Sequence, residues 1–387
     1  MKELSLVNDL VKSSPIRQLF EKARGLNDVI AFTVGEPDFD TPKNIVEAAK
    51  TALDNGAHHY PPNKGFDFLR DAVSRETERT HGLTLKKVDN AMITLGGMEA
   101  LYLSMLVIVN PGDEVIIGDP FYCNYANMVR MRGATPVFVP CYAENHFAFD
   151  PKDFEAAITE KTKAVILNSP MNPTGGIATK ESLEEIAKLC VKYDLYVLSD
   201  EVYNCLVYTK EMAPSIAVYP GMQERTVIIN SLSKKYAMCG WRVGYAIANE
   251  AIVDGMSRMQ EHVASGVNAA TQYAAYEAIT GSQQGFEDML AEYKRRREIV
   301  VEEFKKIPML KCYAPEGTFY AFIDVSGTGM TGNEFVDQLI EKVQVILVPG
   351  DTFGKEGKKY VRLVFAASEE KIREGIRRIA KYVDTLK

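Results

Sequence analysis

The chain has 387 residues, enough for two domains or for one large domain with a lobe. Its balance of 46% apolar and 25% charged residues is that of an ordinary globular protein, and a net charge of −7 argues against a nucleic-acid partner. No apolar run could span a membrane, residues 1–6 carry no signal-peptide pattern, the six cysteines are scattered and the five histidines lack metal-ligand spacing; a cytoplasmic setting, reduced thiols and no metal site are expected.

Residues 1 to about 30 read as an arm and a first helix, with Pro15 near its start. Thr33 to Pro42 is a Gly/Pro loop containing Gly35-Glu36-Pro37-Asp38-Phe39. Ile45, Ala48, Ala49 and Ala52 recur at helical spacing, and Gly56 ends that helix. The turn His59-Tyr60-Pro61-Pro62 follows, where Tyr60 is open both to plain packing and to a functional role. Residues 91–94 read as a strand, Gly96-Gly97 as a tight turn and 98–108 as an amphipathic helix. Strand, glycines and helix start in succession make an anion site, because free N–H groups and the helix dipole face one point. After a strand over 114–117, Asp119-Pro120-Phe121-Tyr122 brings an aromatic ring to a strand end.

A strand over 163–167 runs into Asn172-Pro173-Thr174-Gly175, by composition a turn. A helix over 180–193 leads to a strand over 195–199 and then to Asp200-Glu201-Val202-Tyr203. An isolated buried carboxylate is costly, so Asp200 at the end of an apolar strand needs a partner; a protonated pyridine nitrogen is one. The β-branched run 226–230 then delivers Ser231-Leu232-Ser233-Lys234-Lys235, with Arg242 eight positions beyond Lys234. A lysine framed by serines, with an arginine near, suits a phosphorylated aldehyde: the amine forms a Schiff base while hydroxyls and guanidinium hold the phosphate.

Strands ending at 94, 167, 199 and 230, each separated from the next by a helix or long connection and each followed by polar residues, are the alternation of an α/β fold. A mostly parallel sheet flanked by helices is expected, in a large domain over 45–280, with one active edge. A long helix over 286–306 carries Lys294-Arg295-Arg296-Arg297, a solvated or interface face. The remainder alternates strands and helices over 318–325, 334–343, 345–348, 360–365 and 370–386, a smaller α+β domain over 281–387 that packs with the arm, residues 1–44. Arg362 stands alone in an apolar strand and needs an anion, whether a structural carboxylate or a ligand.

The pattern Ser-x-Ser-Lys…Gly-x-Arg-x-Gly, preceded in order by Gly-Glu-Pro-Asp-Phe and Asn-Pro-Thr-Gly, resembles the pyridoxal-phosphate signature of the class I/II aminotransferases of fold type I, of the prokaryotic aspartate/aromatic type. The resemblance runs from about Gly35 to the C-terminus and implies pyridoxal 5'-phosphate as cofactor, with Lys234 as Schiff-base lysine and catalytic base. It assigns Asp200 to the pyridine nitrogen, Asn172 and Tyr203 to the phenolic oxygen, and Tyr122 to stacking on the ring. The phosphate falls to the N–H groups of Gly97 and Met98 with Ser231, Ser233 and Arg242, and to Tyr60 from a neighbouring subunit, which implies a homodimer. Arg362 would clamp the substrate's α-carboxylate, beside the backbone of Gly35.

There are departures. Lys235 stands where relatives often have threonine, leaving two adjacent amines, between which the spacing to Arg242 selects Lys234. Tyr122 replaces a frequent tryptophan and keeps a ring, and Met98 stands where aspartate-using relatives can carry a lysine. The activity implied is transfer of an amino group between an L-amino acid and a 2-oxo acid such as 2-oxoglutarate. Because a second carboxylate would need a cation, an aromatic or bulky apolar amino acid is expected. Aspartate transamination and carbon–sulfur β-elimination stand as the alternatives.

Overall fold

Strands buried on both faces read as unbroken apolar runs, and every residue of Thr226–Ser231 is buried. The structure is a computed structural model that describes residues 2–11, 28–208 and 212–386; the first helix expected around Pro15 lies outside them. In chain order its strands are β1 (Ile30–Ala31), β2 (Ala91–Thr94), β3 (Glu114–Asp119), β4 (Thr135–Pro140), β5 (Thr162–Asn168), β6 (Tyr196–Asp200), β7 (Thr226–Ser231), β8 (Gly244–Ile247), β9 (Lys311–Tyr313), β10 (Tyr320–Asp324), β11 (Val345–Ile346), β12 (Val348–Pro349) and β13 (Tyr360–Val364).

Seven of them form one sheet in the order β2-β8-β7-β6-β5-β3-β4, parallel throughout except that β8 runs against both its neighbours. Alternation along β7 sends Val227 and Ile229 into a layer built with the helix Gly96–Ile108, and Ile228 into the opposite layer with the helix Ala269–Thr280. This is the expected α/β architecture, with helices on both faces.

The second sheet, β12-β13-β10-β9, is antiparallel, and in it Arg362 lies between Phe322 and Val348. It packs with the helices Gln284–Lys305, Gly332–Val343 and Glu369–Asp384 in a core containing Phe322, Phe335 and Ile372. The N-terminal segment joins through β1, parallel to β11, and the Phe32 carbonyl accepts from Val364 N–H at 3.1 Å. The expected strand over 345–348 is two short strands in two sheets, with Leu347 between them. Strand β4 was not expected: its two prolines and half-exposed pattern belong to a sheet edge. No helix among the described residues is long and apolar enough to cross a membrane.

Strands β5, β6 and β7 each run one residue beyond the expected apolar stretch, so Asn168, Asp200 and Ser231 are held by the ladder itself. Strand β8 enters between the ends of β2 and β7, where Gly244 pairs with both Thr94 and Ser231. A Cβ there would lie 2.7 Å from the carbonyl carbon of Gly96 and 2.8 Å from the nitrogen of Gly97. Gly244→Ala should therefore lower unfolding free energy by about 1–3 kcal/mol through overpacking. The urea midpoint at unchanged m-value reads this, and a midpoint equal to the parent's would contradict it.

Candidate active site

The parallel strand ends open on a cavity of about 430 Å³, closed on its far side by Thr33–Glu36, Tyr320 and Arg362. Every residue given a cofactor or substrate role from the sequence lines it except Tyr60. Tyr60 is 91% exposed and borders a separate open cleft beside Tyr273 and Tyr276.

The two adjacent lysines part company. A one-turn helix, Leu232–Lys235, follows β7 and is capped by the Ser231 hydroxyl, which accepts from Ser233 N–H at 3.1 Å. Consecutive helical side chains point about 100° apart, so only one of the two can face the cavity. Lys234 does: its Nζ donates to the Gly35 carbonyl at 2.6 Å and lies 3.6 Å from Cys239 Sγ. Lys235 turns into the protein, 3.1 Å from a Glu76 carboxylate oxygen and over the rings of Tyr236 and Phe286. Burial works to lower its pKa, yet Tyr236, Cys205 and Glu76 together push it up, keeping it a cation. Gly35 has no room for a side chain, since a Cβ would meet the Tyr320 hydroxyl at 2.3 Å.

Asp200 is buried at the end of β6, where Tyr125 Oη donates to it at 2.5 Å and Val202 N–H at 3.3 Å. Burial pushes its carboxyl up to about 6, against the pull of those two hydrogen bonds and of the Lys234 charge. Behind it, Asn168 Nδ2 donates to the Asp200 carbonyl at 3.0 Å, and Asn168 Oδ1 accepts from Asn172 N–H at 2.9 Å. Asn172 Oδ1 in turn accepts from an Arg362 NH at 2.8 Å. One chain of hydrogen bonds thus ties the two sheets together across the cavity.

Arg362 is 2% exposed and lies between the rings of Tyr320 and Phe353, at 4.5 and 4.6 Å from their centroids. It also donates to the Thr33 carbonyl at 2.9 Å, while its Nε has no partner. No carboxylate pairs with it among the described residues. Burial lowers its pKa, the mark of a desolvated cation. Tyr203, also buried, shares a hydrogen bond with the Tyr320 hydroxyl at 2.7 Å.

At the opposite end stands the start of the 13-residue helix Gly96–Ile108. The Ser231 and Ser233 hydroxyls, 2.9 Å apart, lie beside it with Arg242. Arg242 adopts a left-handed backbone, φ 53°, and donates to the Leu95 carbonyl at 3.3 Å. Free N–H groups, hydroxyls and a guanidinium converge there, a set of donors that suits an anion. Over the cavity floor, Asn124 Nδ2 bridges Tyr122 Oη at 3.0 Å and Met98 Sδ at 3.7 Å.

Sequence reasoning missed Asn168, Tyr125 and Tyr320. Asn168 caps an apolar strand just as Asp200 does, a signal that was available. Tyr125 stands three residues after Tyr122, a helical spacing that places both rings together, 5.5 Å apart. Tyr320 belongs to another sheet, and nothing local marks it.

The model of the family Aminotransferase class I and II matches residues 27–379. The aspartate aminotransferase of Pyrococcus horikoshii is 41% identical over 97% of this chain and 96% of its own length. Aromatic-amino-acid aminotransferase 2 of Thermococcus litoralis is 40% identical over 96% of each. The solved structure of Pyrococcus protein A1 superposes with a TM-score of 0.95 at 39% identity, covering 98% of both chains. With sequence, fold and site geometry pointing the same way, the chain belongs to the class I and II aminotransferases, transferases of fold type I that work with pyridoxal phosphate.

Proposed function

We propose that the cavity binds pyridoxal 5'-phosphate and that the chain moves the amino group of an L-amino acid with an aromatic or bulky apolar side chain to a 2-oxo acid such as 2-oxoglutarate. The observation that carries this reading is Arg362, a buried guanidinium with an unpartnered Nε and no carboxylate paired to it among the described residues. The rest of the cavity fits the cofactor: a buried carboxyl in Asp200 for a protonated ring nitrogen, and a helix start with hydroxyls and Arg242 for a phosphate.

When bound, pyridoxal phosphate supplies an aldehyde for an amine and a ring that accepts an electron pair. Lys234, whose Nζ faces the cavity, would be the amine that holds that aldehyde. The same Nζ would serve as the base that takes the proton from the substrate's α-carbon and returns it. Asp200, ionised beside a cation, keeps the proton on the ring nitrogen. Arg362 receives the α-carboxylate through its free Nε and an NH group, a bidentate match. Asn172 and Tyr203 would hold the phenolic oxygen, and Tyr122 would cover the ring face. The N–H groups of Gly97 and Met98, with Ser231, Ser233 and Arg242, would hold the phosphate. Residues 45–280 form the unit that holds the cofactor, and 1–44 with 281–387 the unit that brings Arg362 to it.

The substrate preference rests on charge. Among the described residues the cations lining the cavity are Lys234, Arg242 and Arg362, each already committed. A second carboxylate would be buried unpaired at a cost of several kcal/mol, and Met98 and Leu101 offer it only apolar surface. Aspartate is the second reading, favoured by the name of the Pyrococcus horikoshii relative. A homodimer is part of the proposal, supported by the exposure of Tyr60, whose ring finds a use on a second copy's phosphate. Six free thiols support a reducing, cytoplasmic setting.

Lys234→Ala should abolish turnover and the borohydride-reducible yellow adduct, while Lys235→Ala keeps both; the reverse pattern would refute the assignment. For substrate, kcat/KM is expected to favour phenylalanine over aspartate with one common acceptor. Aspartate ahead by tenfold, about 1.4 kcal/mol of transition-state binding, would refute the preference.

A further inference from the structure

Directly after Asp200, the side chain of Glu201 turns away from the cavity into the protein, where it is used by none of the steps above. Its Oε1 accepts from Ser199 Oγ at 2.8 Å and from Ser215 Oγ at 2.6 Å, and its Oε2 lies 2.6 Å from His81 Nε2. The His81 and Glu201 side chains are only 5% and 4% exposed. His81 is the last residue of the helix Asp67–His81, where the C-terminal end of the dipole favours a cation, and its Nδ1 lies 2.7 Å from Thr80 Oγ1. The other titratable groups around the pair are Asp200 and Tyr245, which feel the Glu201 charge, and Glu76 on the same helix, which holds Lys235 in an ion pair, with Tyr236 and Cys205 beside that lysine.

We propose that His81 is a positioning residue: as an imidazolium it neutralises Glu201, so that Asp200 alone presents a negative charge to the cofactor's ring nitrogen. The inference rests on the reading of Asp200 given above. Two carboxylates on adjacent residues oppose each other's ionisation, and Glu201 does push the Asp200 carboxyl up. An imidazolium bonded to the far side of Glu201 cancels most of that effect at the ring. Burial works to lower the imidazole pKa, and the bond to Glu201 and its charge outweigh it, so the proton stays on His81 above its ordinary range. The sign follows: the pair's stabilisation is fully present below about pH 6.5 and is lost as pH rises through the raised value.

The test compares holoenzyme variants. In His81→Gln, Glu201 keeps its charge without a counter-ion; the pH midpoint of the bound cofactor's visible absorption should rise by about one unit, and cofactor retention should weaken roughly tenfold. In His81→Gln/Glu201→Gln the unneutralised charge is gone, and both readouts should return toward the parent. A single variant that leaves both unmoved, or a double variant no better than the single, would overturn the proposal; a purely structural histidine predicts the second pattern. Should His81→Gln fail to fold, nitrogen NMR of the parent holoenzyme decides. An imidazole still doubly protonated well above pH 6.5 supports the proposal, and one titrating at or below that ordinary value overturns it. Failure of the underlying reading is seen separately, as a parent protein that takes up no pyridoxal phosphate.

Discussion

A charge buried without a partner inside its own chain is expensive, and proteins retain one only where something else supplies the partner. Arg362, with no carboxylate paired to it among the described residues, is such a charge. The four-stranded sheet holds it between two aromatic rings and two oxygen acceptors, and leaves Nε free. Asp200 mirrors it across the cavity: a carboxyl so desolvated that it sits near pH 6, aimed at a space that a ring cation would fill. On the proposed reading, a zwitterionic ligand on a charged cofactor would satisfy both.

What holds the two sides in register is the chain of hydrogen bonds from the Asp200 carbonyl through Asn168 and Asn172 to Arg362. It runs from the end of the parallel sheet to the middle of the antiparallel one, so displacement of either sheet breaks it. The lysine pair shows the same economy. One turn of helix sends Lys234 to the cavity and Lys235 into a buried ion pair with Glu76. The second amine thus helps fix the first by anchoring the turn that carries it.

Much of this was legible in the sequence because the chemistry sits at strand ends, where an apolar run stops and polar residues begin. Asp200, Ser231 and Lys234 are marked in that way, and the glycines at 96, 97 and 244 mark where backbone must approach backbone. The α/β alternation is legible for a similar reason, since strands covered on both faces cannot alternate in polarity. Tyr320 and Thr33 are not legible. They reach the site through strand pairing with partners far along the chain, and no local period encodes that. Strand β8 is only four residues long and begins with glycine, so its part in bringing Arg242 and Gly244 to the Gly96 turn emerged only from the register. The pairing of His81 with Glu201 is of the same kind, 120 residues apart in sequence.

The central claim, that Arg362 is held uncompensated for a ligand carboxylate, is tested most directly by thermal unfolding of Arg362→Met with and without a saturating aromatic monocarboxylate such as 3-phenylpropionate. Methionine removes the buried charge together with its hydrogen bonds to Asn172 and Thr33, two opposing effects, so without ligand the variant should lie within about 2 kcal/mol of the parent. The parent holoenzyme should gain about 2.7 kcal/mol at ligand a hundredfold above its Kd, and the variant nothing. A variant several kcal/mol less stable without ligand, or one that gains as much from the carboxylate as the parent does, would contradict the account.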